Sequence, residues 1–189
     1  MKNHQFNIFF SWQSDIKENR SIISNAIKTA CKKLKDNEGY SINIDDATRD
    51  RPGSPVIESS VKSKIDSCDI FIADITPITY HNNKLFPNSN VMFELGYAMR
   101  CMEIDRIIII SRDGNFNDKD FPFDINHHRI CKFSNEKINL DNKIKSSIEY
   151  VLNNGKFQYS RLFNDSHLKQ NKSIGKYLPD VFLEDSSFK

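Results

Sequence analysis

The sequence lacks the glycine-rich loops with which many nucleotide-binding proteins hold phosphate groups. Neither GxGxxG nor the P-loop patterns GxxxxGKS and GxxxxGKT occur, and the 189 residues include only six glycines. Hydride transfer at a Rossmann-type dinucleotide site and P-loop nucleotide hydrolysis therefore lose their main sequence support.

Long apolar runs and a large charge excess are also missing. No run approaches the roughly 20 apolar residues of a membrane-spanning helix, and the one near the start is too short for a signal peptide. The 27 basic and 25 acidic residues are well mixed and give a formal net charge of +2, whereas nucleic-acid-binding domains usually gather a basic excess on one face. We therefore expect a cytoplasmic protein without membrane association, and nucleic acid is not indicated as a partner.

A metal site is not expected either. The four cysteines lie far apart and form no CxxC pair: Cys31, Cys68, Cys101 and Cys131. This spacing predicts reduced, mostly packed thiols of an intracellular protein rather than zinc ligands. The adjacent His127 and His128 would point to opposite faces of an extended stretch, which makes them a poor pair of ligands.

Apolar residues recur in patterns that alternate between strand and helix. Strands are predicted at 6–10, 40–44, 69–75, 106–110 and 129–133, and helices at 20–35, 54–67, 90–102 and 140–153. Asn19 is expected to cap the first helix, and the segment Asn37-Glu38-Gly39 is expected to end it. The run at 69–75 is nearly unbroken, which is typical of a strand buried on both faces of a parallel sheet. The alternation predicts an α/β domain with a parallel sheet of about five strands and helices on both faces.

The pattern fades after Gly155. We therefore assign residues 1–155 to the folded domain and residues 156–189 to a linker or the start of a further region. The isolated apolar patch at 177–184 is interpreted as the beginning of a region that has been cut off, or as a strap lying on the first domain.

Ligands of open parallel sheets bind at the carboxyl ends of the strands. Four segments are predicted to meet there: the loop at 11–15, the loop at 45–53, the long loop at 74–90, and the start of the following helix. Loops of this length are more often functional than accidental.

Glu94 is the candidate catalytic residue of that helix. It lies about one turn from the predicted helix start among apolar neighbours, where desolvation disfavours its ionised form and the helix dipole favours it. A glycine inside a helix lowers helix stability by about 1 kcal/mol relative to alanine. Gly96 is therefore best explained if a backbone or ligand must approach it closely. The alternative is a glutamate on the exposed side of an amphipathic helix.

Four segments together resemble a known family. They read FFSWQSD at 9–15, PGSP at 52–55, CDIFIADITP at 68–77 and PNSNVMFELGYA at 87–98. Over roughly residues 5–155 the chain is similar to the bacterial TIR-like nucleotide-binding proteins, whose fold is similar to that of nucleoside 2-deoxyribosyltransferases. The resemblance implies a flavodoxin-like fold of TIR type, cleavage of the ribose–nicotinamide bond of NAD, and a role in defence against phage.

In this resemblance Glu94 falls on the catalytic glutamate of the family. A single carboxylate suffices because the nicotinamide of NAD is already a cationic leaving group, so that only the oxocarbenium-like transition state needs stabilisation. NAD is then the substrate, and no cofactor is expected.

Further residues are candidates for substrate binding. Phe10, Ser11 and Trp12 are expected to line the pocket, with the indole stacking on nicotinamide or adenine. Asp74 is interpreted as a ribose ligand or as a turn residue.

Two more candidates come from polar segments. Asn90 is expected to cap the helix, contact the ligand, or do both, and Arg49, with Arg51, is a candidate partner of the pyrophosphate. The loop at 45–53 falls on the segment that helps assembly and gates the site in TIR domains.

Three functional readings stay open at the level of sequence. The first is an NAD hydrolase or cyclase, activated by homo-oligomerisation or by assembly with a sensor domain or protein. The second is a nucleoside or nucleotide deoxyribosyltransferase. The third is a TIR-type assembly module without catalytic activity.

Overall fold

A computed structural model of the chain describes residues 5–46, 54–114, 116–134 and 139–154. Arg49, Arg51 and most of the 45–53 loop lie outside the described residues, as do residues 156–189. The predictions made for them stay predictions.

Five strands form one parallel sheet in the order β2-β1-β3-β6-β7. These strands are β1 (Gln5–Ser11), β2 (Ser41–Asp46), β3 (Ile70–Asp74), β6 (Ile107–Arg112) and β7 (Ile130–Phe133), and a hairpin of β4 (Pro77–His81) and β5 (Lys84–Pro87) follows β3. The helices are α1 (Asn19–Glu38), α2 (Ser54–Ser67), α3 (Ser89–Cys101), the single turn α4 (Phe123–Asn126) and α5 (Leu140–Asn154). The flavodoxin-like order of the sheet confirms the predicted fold class.

The sheet separates two apolar layers. Helix α1 packs against α5, and α2 packs against α3. Phe9 and Phe71 stack with their ring centroids 5.8 Å apart in the cluster that includes Leu95 of α3. Because side chains alternate along a strand, Phe10 and Ile72 face the opposite layer. Every residue of β3 is buried, which confirms the prediction of a strand enclosed on both faces.

Helix α1 begins differently from the prediction. Asn19 is its first residue rather than its cap, and Glu18 occupies the cap position with a φ of 71° and no side-chain capping bond. The Asn19 side chain is instead buried and donates to the end of β3. The predicted end of the helix is confirmed, since Gly39 terminates it in the left-handed conformation with a φ of 75°.

The segment between β3 and α3 is a hairpin, so the prediction of a long loop was wrong. Asn82 and Asn83 both have positive φ values, 49° and 58°, as a two-residue type I′ turn requires. Leu85 of β5 is buried against the α2–α3 layer. The Asn-Asn pair between two short segments was the signal for this turn.

The four cysteines are free thiols. Cys31 and Cys68 are buried, whereas Cys101 and Cys131 are half-buried. Burial raises the pKa of both Cys31 and Cys68 to about 12, which leaves these thiols protonated and unreactive at neutral pH. In the described ranges, no helix has the length and apolarity to cross a membrane.

Candidate active site

The strand order reverses between β1 and β3. The connection that leaves β1 goes to β2 on one side, and the connection that leaves β3 goes to β6 on the other. Ligands of doubly wound sheets bind at the carboxyl edge beside such a reversal. Ser11 ends β1 and Asp74 ends β3, so the predicted site residues of both strands lie at this edge.

Glu94 faces the interior of the protein. It belongs to the buried stripe Val91, Glu94, Leu95 and Ala98 of α3, and only 8% of it is exposed. The alternative of a glutamate on the exposed helix face is therefore wrong. A carboxylate in this position needs hydrogen bonds to offset its lost hydration.

Ser11 supplies one of those hydrogen bonds. Its Oγ donates to Oε2 of Glu94 over 2.5 Å, and both side chains are buried. Ser11 lies two residues after Phe9 and therefore projects to the same face of the sheet, toward α3. The structure thus brings together two sequence-predicted site residues that are 83 positions apart.

The N-terminus of α3 is capped by Asn88, not by Asn90. Oδ1 of Asn88 accepts hydrogen bonds from the backbone N–H groups of Asn90 at 2.9 Å and Val91 at 3.2 Å. Its Nδ2 donates to Asp15 over 2.6 Å and so links the β1–α1 loop to the helix that carries Glu94. Residues 88–90 are all of types that cap helices, so the sequence did not identify which of them is the cap. The cap is Asn88, one residue before the helix.

Phe10 and Ser11 project to opposite faces of the sheet. Phe10 is fully buried, and strand alternation turns it toward the α1–α5 layer. Trp12 is 6% exposed, and Cζ of Arg20 lies 3.8 Å from the centroid of its ring. The indole therefore stacks on a guanidinium, and in this conformation it offers little surface to a nucleotide base.

Asp74 anchors the turn after β3. Its Oδ1 accepts from the backbone N–H and the hydroxyl of Thr76, at 3.0 and 2.5 Å, and its Oδ2 accepts from Nδ2 of Asn19 at 3.2 Å. Gln13 bonds this carboxylate as well and donates to the carbonyl of Thr76 over 2.7 Å. Because Asp74 is fully buried and faces α1, this geometry fits the turn interpretation better than a ribose contact.

The buried carboxyl of Asp74 has a perturbed affinity for protons. Burial raises its pKa above the ordinary value, and the hydrogen bonds from Thr76, Asn19 and Gln13 oppose that shift without cancelling it. Glu94 and Asp74 thus occupy opposite sides of one sheet edge, each held by hydrogen bonds to neighbouring elements.

Gly96 is not crowded by its surroundings. A Cβ added there would meet no atom within 4 Å, and the residue is exposed. The expected close approach of a backbone is therefore not found in the described part of the chain.

We predict that Gly96→Ala stabilises the protein by about 0.5–1 kcal/mol, because alanine restricts the unfolded chain and fits the helix without a clash. Urea unfolding measures the change, and Gly39→Ala, at a φ of 75°, should destabilise instead. A stable Gly96→Ala protein that loses its activity would instead show that a ligand or partner must approach this position.

No protein-family model matches the chain, and no curated protein matches it either. Within the described ranges, no three His, Cys, Asp or Glu side chains are grouped so as to hold a metal ion. Function is therefore inferred from the Ser11–Glu94 pair and from the sequence motif around Glu94.

Proposed function

We propose that the protein is an NAD N-glycosidase in which Glu94 is the catalytic carboxylate. The observation that carries the proposal is the buried Glu94 held by Ser11 at the carboxyl edge where the strand order reverses. The substrate is inferred from the motif at 87–98, which resembles that of TIR-like NAD-cleaving proteins.

The chemistry needs no general acid. The bond between the anomeric carbon and the nicotinamide nitrogen breaks, and its electron pair leaves with nicotinamide, which becomes neutral. Positive charge develops on the ribose, and the Glu94 carboxylate stabilises it or attacks the anomeric carbon. Water then gives hydrolysis, whereas a nitrogen of the adenine ring would give a cyclic product.

Ser11 is a positioning residue in this scheme. Its hydroxyl donates to Oε2 of Glu94 and so restrains the orientation of the carboxylate. Preorganisation of this kind lowers the reorganisation that the transition state requires.

The biological role proposed here is an effector or signal generator in bacterial defence against phage, acting in the cytoplasm. Activation would come from homo-oligomerisation or from assembly with a sensor domain or protein. The near-complete burial of Glu94 in the single chain is consistent with a site that opens or completes itself on assembly.

The test is to cluster the wild-type chain through a fused oligomerisation tag and to measure free nicotinamide by chromatography after incubation with NAD. We expect nicotinamide release that depends on clustering. Cleavage of a deoxynucleoside without any action on NAD would favour the deoxyribosyltransferase alternative. An assembled, folded chain that cleaves neither would favour the assembly module.

Replacing Ser11 by alanine should lower kcat for NAD roughly 10- to 100-fold and change KM little, because a hydrogen bond to a charged group is lost. Ser14→Ala, at an exposed position in the following loop, is the matched control. An unchanged kcat in Ser11→Ala would rule out the positioning role.

A further inference from the structure

Arg112 is a mostly buried cation at the same edge of the sheet. It ends β6, and its backbone N–H donates to Oγ1 of Thr76 over 2.9 Å. Its side chain is 21% exposed, and its Nε is buried with no hydrogen-bond partner among the described residues. The backbone of Arg112 is thus fixed while part of its guanidinium is left unsatisfied.

The ion pair of Arg112 is weak. Nη2 lies 3.9 Å from Oε2 of Glu18, and the Glu18 side chain is 75% exposed. A contact at this distance is not a hydrogen bond, and an ion pair with so exposed a partner contributes little. Glu18 also has a positive φ, a strained conformation for this residue type.

Two further unsatisfied polar atoms lie in residues that bond to Thr76. Oε1 of Gln13 and Oδ1 of Asn19 are buried without a partner among the described residues. Both residues donate to Thr76, as the backbone of Arg112 does. Buried polar atoms normally have partners. Both atoms are amide oxygens that accept hydrogen bonds, so they suit a bound water or a ligand hydroxyl rather than a phosphate oxygen.

The chemistry of Arg112 selects an anion. A guanidinium presents several N–H donors in a planar fork that matches phosphate oxygens, and it stays charged at any relevant pH. Helix α1 begins beside it, and the positive end of a helix dipole also favours an anion.

Arg112 lies at a suitable distance from the reacting bond. Ser11 pairs with Ala73 of the neighbouring strand, and Ala73 pairs with Ile109 of the next strand. Arg112 is therefore two strands across and three residues further along, which places its Cα roughly 14 Å from that of Ser11. The Arg112 side chain contacts Glu18 beside α1, on the opposite side of the sheet edge from Glu94. A dinucleotide that reaches both groups therefore crosses this edge, with its ribose separating the glycosidic bond from the diphosphate.

We propose that Arg112 binds the diphosphate of the dinucleotide substrate and so makes the enzyme prefer NAD to unphosphorylated nicotinamide nucleosides. This inference rests on the proposed function. It assigns a recognition role to a residue that no sequence pattern distinguished.

The experiment compares two substrates of the clustered chain, NAD and nicotinamide riboside, which carries the same glycosidic bond without phosphate. Arg112→Gln should raise KM for NAD roughly 10- to 100-fold, because charge-assisted hydrogen bonds are lost. Its kcat/KM for nicotinamide riboside should equal that of wild type. Arg129→Gln, an exposed arginine just before β7, is the matched control and should leave both substrates unaffected.

Equal losses on both substrates would overturn the proposal, because they would show a structural role for Arg112. Arg112→Lys, which keeps the charge but not the fork, should fall between wild type and Arg112→Gln on NAD alone. If the wild-type chain cleaves neither substrate, the proposed function fails separately. Calorimetric binding of ADP-ribose then decides, since weaker binding to Arg112→Gln than to wild type supports the diphosphate site and equal binding overturns it.

Discussion

Replacing Glu94 by glutamine should lower the rate of nicotinamide release from NAD about 10³-fold or more. Removing one preorganised polar group from a transition state typically lowers the rate by about 10²–10³, and here a full negative charge is removed from beside a developing cation. The amide keeps the size of the side chain and can still accept the hydrogen bond from Ser11, so the loss would be chemical rather than structural.

An exposed glutamate close to the helix provides the matched control. Glu103→Gln changes an exposed glutamate just after α3 and should retain the wild-type rate. Thermal unfolding of Glu94→Gln should remain cooperative and close to that of wild type. If Glu94→Gln and Glu94→Ala both release nicotinamide as fast as wild type, the assignment of Glu94 fails.

Replacing Asp74 by alanine should destabilise the fold by about 3 kcal/mol, because each buried donor left without an acceptor costs about 1–3 kcal/mol. The substitution would leave three donors without their acceptor: the backbone N–H of Thr76, its hydroxyl, and one N–H of Asn19. Urea unfolding monitored by circular dichroism measures the change. Asp124→Ala, at an exposed position of α4, should stay within about 0.5 kcal/mol of wild type.

The raised pKa of Asp74 also predicts that the stability of the protein depends on pH. Burial raises its pKa in the folded state above the ordinary value of 3.8. Between these two pKa values the folded chain binds more protons than the unfolded chain, so the contribution of Asp74 to stability falls as pH rises and is constant above the folded pKa.

Asp74→Asn cannot titrate, so its deficit relative to wild type should be larger near pH 4 than near pH 7. Denaturant unfolding of both proteins across this range measures it. A deficit independent of pH would show that the carboxyl group titrates alike in the folded and unfolded chains.

Local patterns in the sequence predicted much of the fold. The unbroken apolar run of β3 indicated a strand buried on both faces, and Gly39 marked the end of α1 because only a residue without a Cβ adopts its backbone conformation freely. The hairpin was missed because its strands are short and largely exposed, so they show little apolar alternation. The cap at Asn88 was missed because consecutive polar residues all suit that role.

By itself the sequence determined the succession of strands and helices and singled out Glu94, because hydrophobic periodicity and motifs are properties of neighbouring residues. Only the tertiary structure decided which way each side chain points. Strand alternation turns Ser11 toward Glu94 and turns Phe10 and Asp74 to the other face of the sheet. The sheet order carries Arg112 to the same edge. Such contacts depend on strand order and helix rotation, which are fixed only when the two apolar layers pack on the sheet.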